Sequence, residues 1–175
     1  MSIILSGRDS GLVDADQVLP GLFVGGETAL QNFDLLNPTP RVVVSAAQQV
    51  DPQEKIPPGK KQTLEAIQHL PLIDTETNWS KSPDAWSRVV MMARYVAFEW
   101  AKGNPVLVVC HAGMNRSAML VGLALRFLGL DGLEAVKRIQ RYRRPSLMNR
   151  SFREAVMRFT PPLTFPWNRS ILQET

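Results

Sequence analysis

PVLVVCHAGMNRSAMLVGLALRFLGL, residues 105–130, changes character twice. Pro105 to Val109 is a wholly apolar run of strand length, as expected of an interior strand covered on both faces. CHAGMNRS follows as a polar loop, and Ser117 to Leu128 then reads as a helix that is apolar nearly all round, hence buried. Strand, loop and buried helix in succession predict an α/β fold, with the loop at the sheet edge where ligands collect in such folds. The apolar run from Met119 to Leu130 carries Arg126 and falls short of the roughly twenty residues needed to cross a bilayer. No membrane association is expected.

Upstream, VLPGLFVGG (Val18 to Gly26) predicts a short strand pair, and Glu27 to Leu36 a helix closed by Asn37-Pro38. Arg41 to Ala46 is a second interior strand. Gln48 to Lys61, with three prolines, one glycine and three lysines, reads as an exposed, mobile loop, and a further β segment ends at HLPLID, His69 to Asp74. From Pro83 the period changes: Trp86, Val89, Val90, Ala93, Val96, Ala97 and Trp100 share one face of a helix ending before Gly103. Downstream, Asp131 and Glu134 form a capping box for a helix through about Tyr142, ended by Arg144-Pro145. A last helix covers about Arg150 to Phe159 and stops at Pro161-Pro162. Without repeats or linkers, strands alternating with helices argue for one α/β domain over 1–175, with a core at about 18–159 and extensions at 1–16 and 161–175.

The chain has 175 residues, 45% hydrophobic and 21% charged, enough for one domain to bury a core without staples. Its single cysteine, Cys110, excludes an intramolecular disulfide, and with only His69 and His111 there is no metal-ligand spacing. Neither metal nor cofactor is expected. Ile3 to Leu5 is too short an apolar run for a secretory leader, so a cytoplasmic monomer is the expectation. The net charge of +4 comes mostly from the last third, a surface that attracts anions. Nucleic acid is disfavoured as that anion, because the basic residues are not interleaved with aromatics for base stacking.

Cys110 and Arg116 bracket the loop with five residues between them. That spacing alone is weak, and its context strengthens it. The backbone amides of His111, Ala112, Gly113, Met114 and Asn115, with the helix N-terminus and Arg116, make a site for a phosphate dianion. The same surroundings favour a thiolate over a thiol. Attack on phosphorus places charge on three equatorial oxygens, two of which the planar fork of Arg116 can hold. Ser117 can donate to the sulfur as it is expelled. The leaving oxygen needs a proton, for which Asp74, closing HLPLID and opening TETNWSKS, is preferred to Asp84 and Glu76. Trp79 is expected to serve as an apolar lid, and His111 to be a pocket-wall or structural side chain.

These residues resemble the dual-specificity branch of the cysteine-dependent protein tyrosine phosphatases at four places. VLPGLFVGGETALQN (18–32) resembles its opening strand and helix, LPLIDTETNW (70–79) its general-acid segment, and VLVVCHAGMNRSAML (106–120) its phosphate loop. RRPSLMNRSF (143–152) resembles the segment whose asparagine, here Asn149, supports the catalytic loop. The resemblance implies a central mixed sheet of four to five strands flanked by helices on both faces. It also implies a two-step phosphocysteine mechanism without cofactor, acting on phosphotyrosine and on phosphoserine or phosphothreonine of a protein substrate. It departs at Val109, where the family has histidine. The competing readings are a phosphatase for RNA 5' ends or another nonprotein phosphate, and a catalytically weak phosphate-binding module.

Overall fold

Val106 and Val108 bury their side chains in one apolar cluster while Leu107 and Val109 bury theirs in another. This is the two-residue period of a strand packed on both faces, and each such side chain stabilises the fold by about 1.5–3 kcal/mol. In the computed structural model, which describes residues 12–162, these four residues are the central strand of a five-stranded sheet.

The strands are β1 (Ala15–Leu19), β2 (Leu22–Gly25), β3 (Val42–Ser45), β4 (Ala66–His69) and β5 (Val106–Val109). Their spatial order is β1-β2-β5-β3-β4. β1 and β2 form an antiparallel hairpin, whereas β2, β5, β3 and β4 run parallel. The sheet is therefore mixed, and the fold is α/β as expected.

Seven helices are described: α1 (Ala29–Asn32), α2 (Pro52–Lys55), α3 (Pro58–Lys61), α4 (Pro83–Ala101), α5 (Arg116–Phe127), α6 (Gly132–Tyr142) and α7 (Arg150–Arg158). α4 to α7 cover the face carrying Val106 and Val108. The other face is covered more thinly, by Ala29, Leu30 and Phe33 near α1 and by Val50 and Ile56 around α2. Eleven of the twelve residues of α5 are buried, which is why that helix is apolar all round. The capping reading at Asp131 holds, its carboxylate accepting from the Glu134 amide at 2.8 Å.

The structure differs from expectation in three places. Residues 48–61 carry α2 and α3, and Val50 and Ile56 are buried, so this segment is a packed cover for one sheet face; its prolines start helical turns. The segment after β4 leaves the sheet at His69, so 70–78 is irregular chain. Trp79 is no lid. It packs against Trp86 at 5.4 Å and Phe152 at 5.9 Å between ring centroids and thereby anchors the segment that carries Asp74. The tail from Thr164, with Phe165, Pro166 and Trp167, lies outside the described residues.

Candidate active site

β5 ends at Val109 and α5 begins at Arg116, so residues 110–115 form a loop at the C-terminal edge of the parallel strands. Its carbonyls are held from outside. His111 O accepts from the Glu27 amide at 3.1 Å and Met114 O from the Leu147 amide at 2.8 Å. Ala112 O and Gly113 O accept from the Arg143 guanidinium at 3.1 and 2.5 Å. In a trans peptide the N–H points opposite to the carbonyl of the same plane. The amides of Ala112, Gly113, Met114 and Asn115 consequently all turn to the other side of the loop, which makes a nest for an anion.

Asn115 stands at the N-cap of α5 without making a side-chain cap, which leaves the first-turn amides open to an anion. Its amide is spent elsewhere. Oδ1 accepts from the Met148 and Asn149 amides at 2.9 and 3.0 Å, and Nδ2 donates to Asp74 Oδ2 at 3.0 Å. Because two backbone donors fix Oδ1, the orientation of this side chain follows.

Cys110 is 2% exposed. Its amide donates to Gly25 O at 3.2 Å, and its Sγ accepts from Ser117 Oγ at 3.3 Å. Arg116 is 5% exposed. Its Nη1 donates to Gln49 Oε1 at 2.8 Å and to Leu72 O at 2.9 Å, which orients the guanidinium plane. Its Nε is buried and has no hydrogen-bond partner among the described residues, a costly arrangement for a cationic donor unless an anion is to be met there.

The three candidate acids have different surroundings. Asp74 accepts from Asn115 on one oxygen and from Asn149 Nδ2 at 3.1 Å on the other, which ties the segment after β4 to the loop. Glu76 accepts from the Arg150 and Ser151 amides at 3.1 and 3.0 Å and so caps α7. Asp84 lies in the first turn of α4. Among the described residues, Asp74 alone of the three reaches the loop through side-chain hydrogen bonds. Asn149 also accepts from the Phe152 amide at 3.3 Å, serving as the α7 N-cap while its Nδ2 holds Asp74. His111 is turned outward, its Nδ1 2.8 Å from Glu27 Oε1.

Arg143 was not legible as a site residue, being one of a run of arginines. It is wholly buried beneath the loop, bound to Asp14 and Asp16 as well as to the two loop carbonyls. A signal existed in the two aspartates at alternate positions leading into β1, which place two acids on one face of a strand. The basic last third is likewise less of an open surface than its composition suggests: Arg126 donates to Phe159 O and Leu130 O, Arg153 to Leu147 O, and Arg150 pairs with Glu154. A separate groove of about 790 Å³, lined by Trp79, Trp86, Arg158 and neighbours, contains neither Cys110 nor Arg116.

Gly113 has φ +67°, and a Cβ there would lie 2.6 Å from Gly25 O and also collide with Arg143. Gly113→Ala is therefore expected to lower unfolding stability by about 1–3 kcal/mol, measured by urea titration; an unchanged midpoint would contradict the close approach.

No protein-family model matches the chain. It is 28% identical over 141 residues to dual specificity protein phosphatase 12 of Rattus norvegicus, covering 79% of this chain and 39% of the relative; the chain thus spans about two fifths of that relative's length. Among solved structures, human DUSP28 superposes with a TM-score of 0.67 at 22% identity, covering 82% of this chain and 90% of that one. A mouse putative dual specificity phosphatase complexed with zinc tungstate gives 0.67 at 20% identity, covering 89% and 88%. The chain is thus similar in sequence to a dual-specificity phosphatase and shares the fold of solved dual-specificity phosphatases.

Proposed function

We propose that the chain is a protein phosphatase that hydrolyses phosphotyrosine, and also phosphoserine and phosphothreonine, through a phosphocysteine at Cys110. The observation that carries this reading is the buried, unpartnered Nε of Arg116 on the loop that holds Cys110, whose amides 112–115 turn to one side.

In the first step the Cys110 thiolate attacks phosphorus, the S–P bond forms and the ester P–O bond breaks. Arg116 and the loop amides hold the equatorial oxygens, charge that grows in the transition state. Asp74 gives its proton to the departing oxygen. Both Asp74 oxygens are engaged by asparagine amides, so the acid exchanges one of these contacts for the substrate. In the second step water attacks phosphorus, Asp74 takes its proton, and the S–P bond breaks. Ser117, 3.3 Å from the sulfur, donates to the departing thiolate. Asn149 supports the site by holding Asp74. The reaction needs a reduced thiol, which fits the cytoplasm, and among the described residues no helix is long and apolar enough to cross a membrane.

The test is hydrolysis of an aryl phosphate, then of phosphotyrosyl and phosphothreonyl peptides, with reductant and chelator present. Turnover of all three is expected, and no turnover of any would overturn the proposal. Asp74→Asn is expected to slow turnover of a poor leaving group by roughly 10²-fold and of an activated aryl phosphate much less. Asp84→Asn is expected to match wild type. The reverse pattern would move the acid to Asp84.

A further inference from the structure

We propose that Arg143, held between Asp14 and Asp16, is a positioning residue that keeps the loop amides aimed at the phosphate. The inference rests on the phosphatase reading and assigns the device that preorganises its site.

The Arg143 side chain is fully buried, and each of its three nitrogens donates, in two directions. Toward β1, Nη1 donates to Asp16 Oδ2 and Nη2 to Asp14 Oδ1, both at 2.8 Å. Toward the loop, Nε donates to Gly113 O and Nη2 to Ala112 O. Gly25 and Gly26 make room for this arrangement: a Cβ on Gly25 would lie 2.6 Å from Asp14 O, and one on Gly26 would collide with the Asp14 carboxylate.

Three features identify positioning as the role. A buried ion cluster is a poor stability device, since well-packed apolar side chains of similar volume commonly do as well or better. The nitrogens of Arg143 are spent on carboxylates and loop carbonyls, so it is not itself the phosphate ligand, and by Coulomb's law alone removal of the Asp14 carboxylate would favour anion binding. What remains is geometry. The two carbonyls that Arg143 holds belong to the peptide planes whose N–H groups are those of Gly113 and Met114, and fixing the first fixes the second.

Removing Arg143 itself risks unfolding the core, so the test is made at Asp14, the one member with substantial exposure, at 36% of its side chain against 1% for Asp16. Tungstate binding by calorimetry and aryl phosphate kcat and KM are measured on the full 175-residue chain for wild type, Asp14→Ala and Asp14→Asn. Asp14→Ala is expected to bind tungstate ~10-fold more weakly and to lose kcat/KM by a similar factor per folded molecule. Asp14→Asn keeps an acceptor for Nη2 and is expected to restore most of the loss. Tungstate binding by Asp14→Ala as tight as wild type, or tighter as loss of a negative charge alone would give, overturns the positioning role while leaving the phosphatase reading intact. A wild type that neither binds tungstate nor turns over aryl phosphate removes both.

Discussion

Arg116→Lys is expected to lower kcat/KM for an aryl phosphate by roughly 10³-fold, the scale on which enzymes lose rate when a preorganised donor to a developing oxyanion is removed. The reason lies in how the guanidinium is held. Nη1 is committed to Gln49 Oε1 and Leu72 O, which sets the plane and leaves Nε without a protein partner. A lysine ammonium is a compact charge with no planar fork. It could satisfy Leu72 O or approach the phosphate, and it cannot do both in one geometry. Steady-state kinetics should show kcat falling and tungstate affinity falling with it. A loss below about tenfold would mean that charge alone, without the fork, suffices.

Cys110→Ser is expected to reduce turnover to the level of the uncatalysed reaction, roughly 10⁵-fold or more, as when a covalent nucleophile is removed. A serine hydroxyl would need a general base, and among the described residues no basic side chain is hydrogen-bonded to the sulfur. Its hydrogen-bonding neighbour is Ser117 Oγ, and the nearby imidazole of His111 is turned toward Glu27. Replacing sulfur by the smaller oxygen at a 2% exposed position should leave the loop in place, so the variant should still bind tungstate and show the wild-type circular dichroism. Retained turnover in a folded Cys110→Ser protein would remove the phosphocysteine route.

Much of the architecture was legible because burial imposes a period. The apolar runs at 42–44 and 106–109 read as interior strands, and the unbroken apolar surface from Ala118 to Leu125 as a helix enclosed on all sides. The cap at Asp131 was legible for the same kind of local reason, a side chain meeting the amide three residues on, whereas the cap that Asn149 makes was not read. Tertiary pairing was not legible. Asp14 and Asp16 lie 129 and 127 residues from Arg143, and no local pattern links an edge strand to an arginine-rich turn. The segment 48–61 was misread because its prolines and lysines dominate its composition, while only Val50, Pro52 and Ile56 carry its burial. Trp79 was misread because its partner Phe152 is remote in sequence. Asn115 shows both sides: its place in the loop was readable, whereas its bridge to Asp74 and to the Met148 and Asn149 amides depends on how three segments meet.

The central claim is that phosphate passes through the sulfur of Cys110, and it is tested most directly by trapping. Wild-type protein mixed with excess aryl phosphate, quenched in acid on the millisecond scale and digested, should yield the peptide containing Cys110 with one added phosphoryl group, absent from Cys110→Ser. Turnover by wild type with no phosphoryl group on that peptide at any quench time, or the same modification on another residue, would contradict the account.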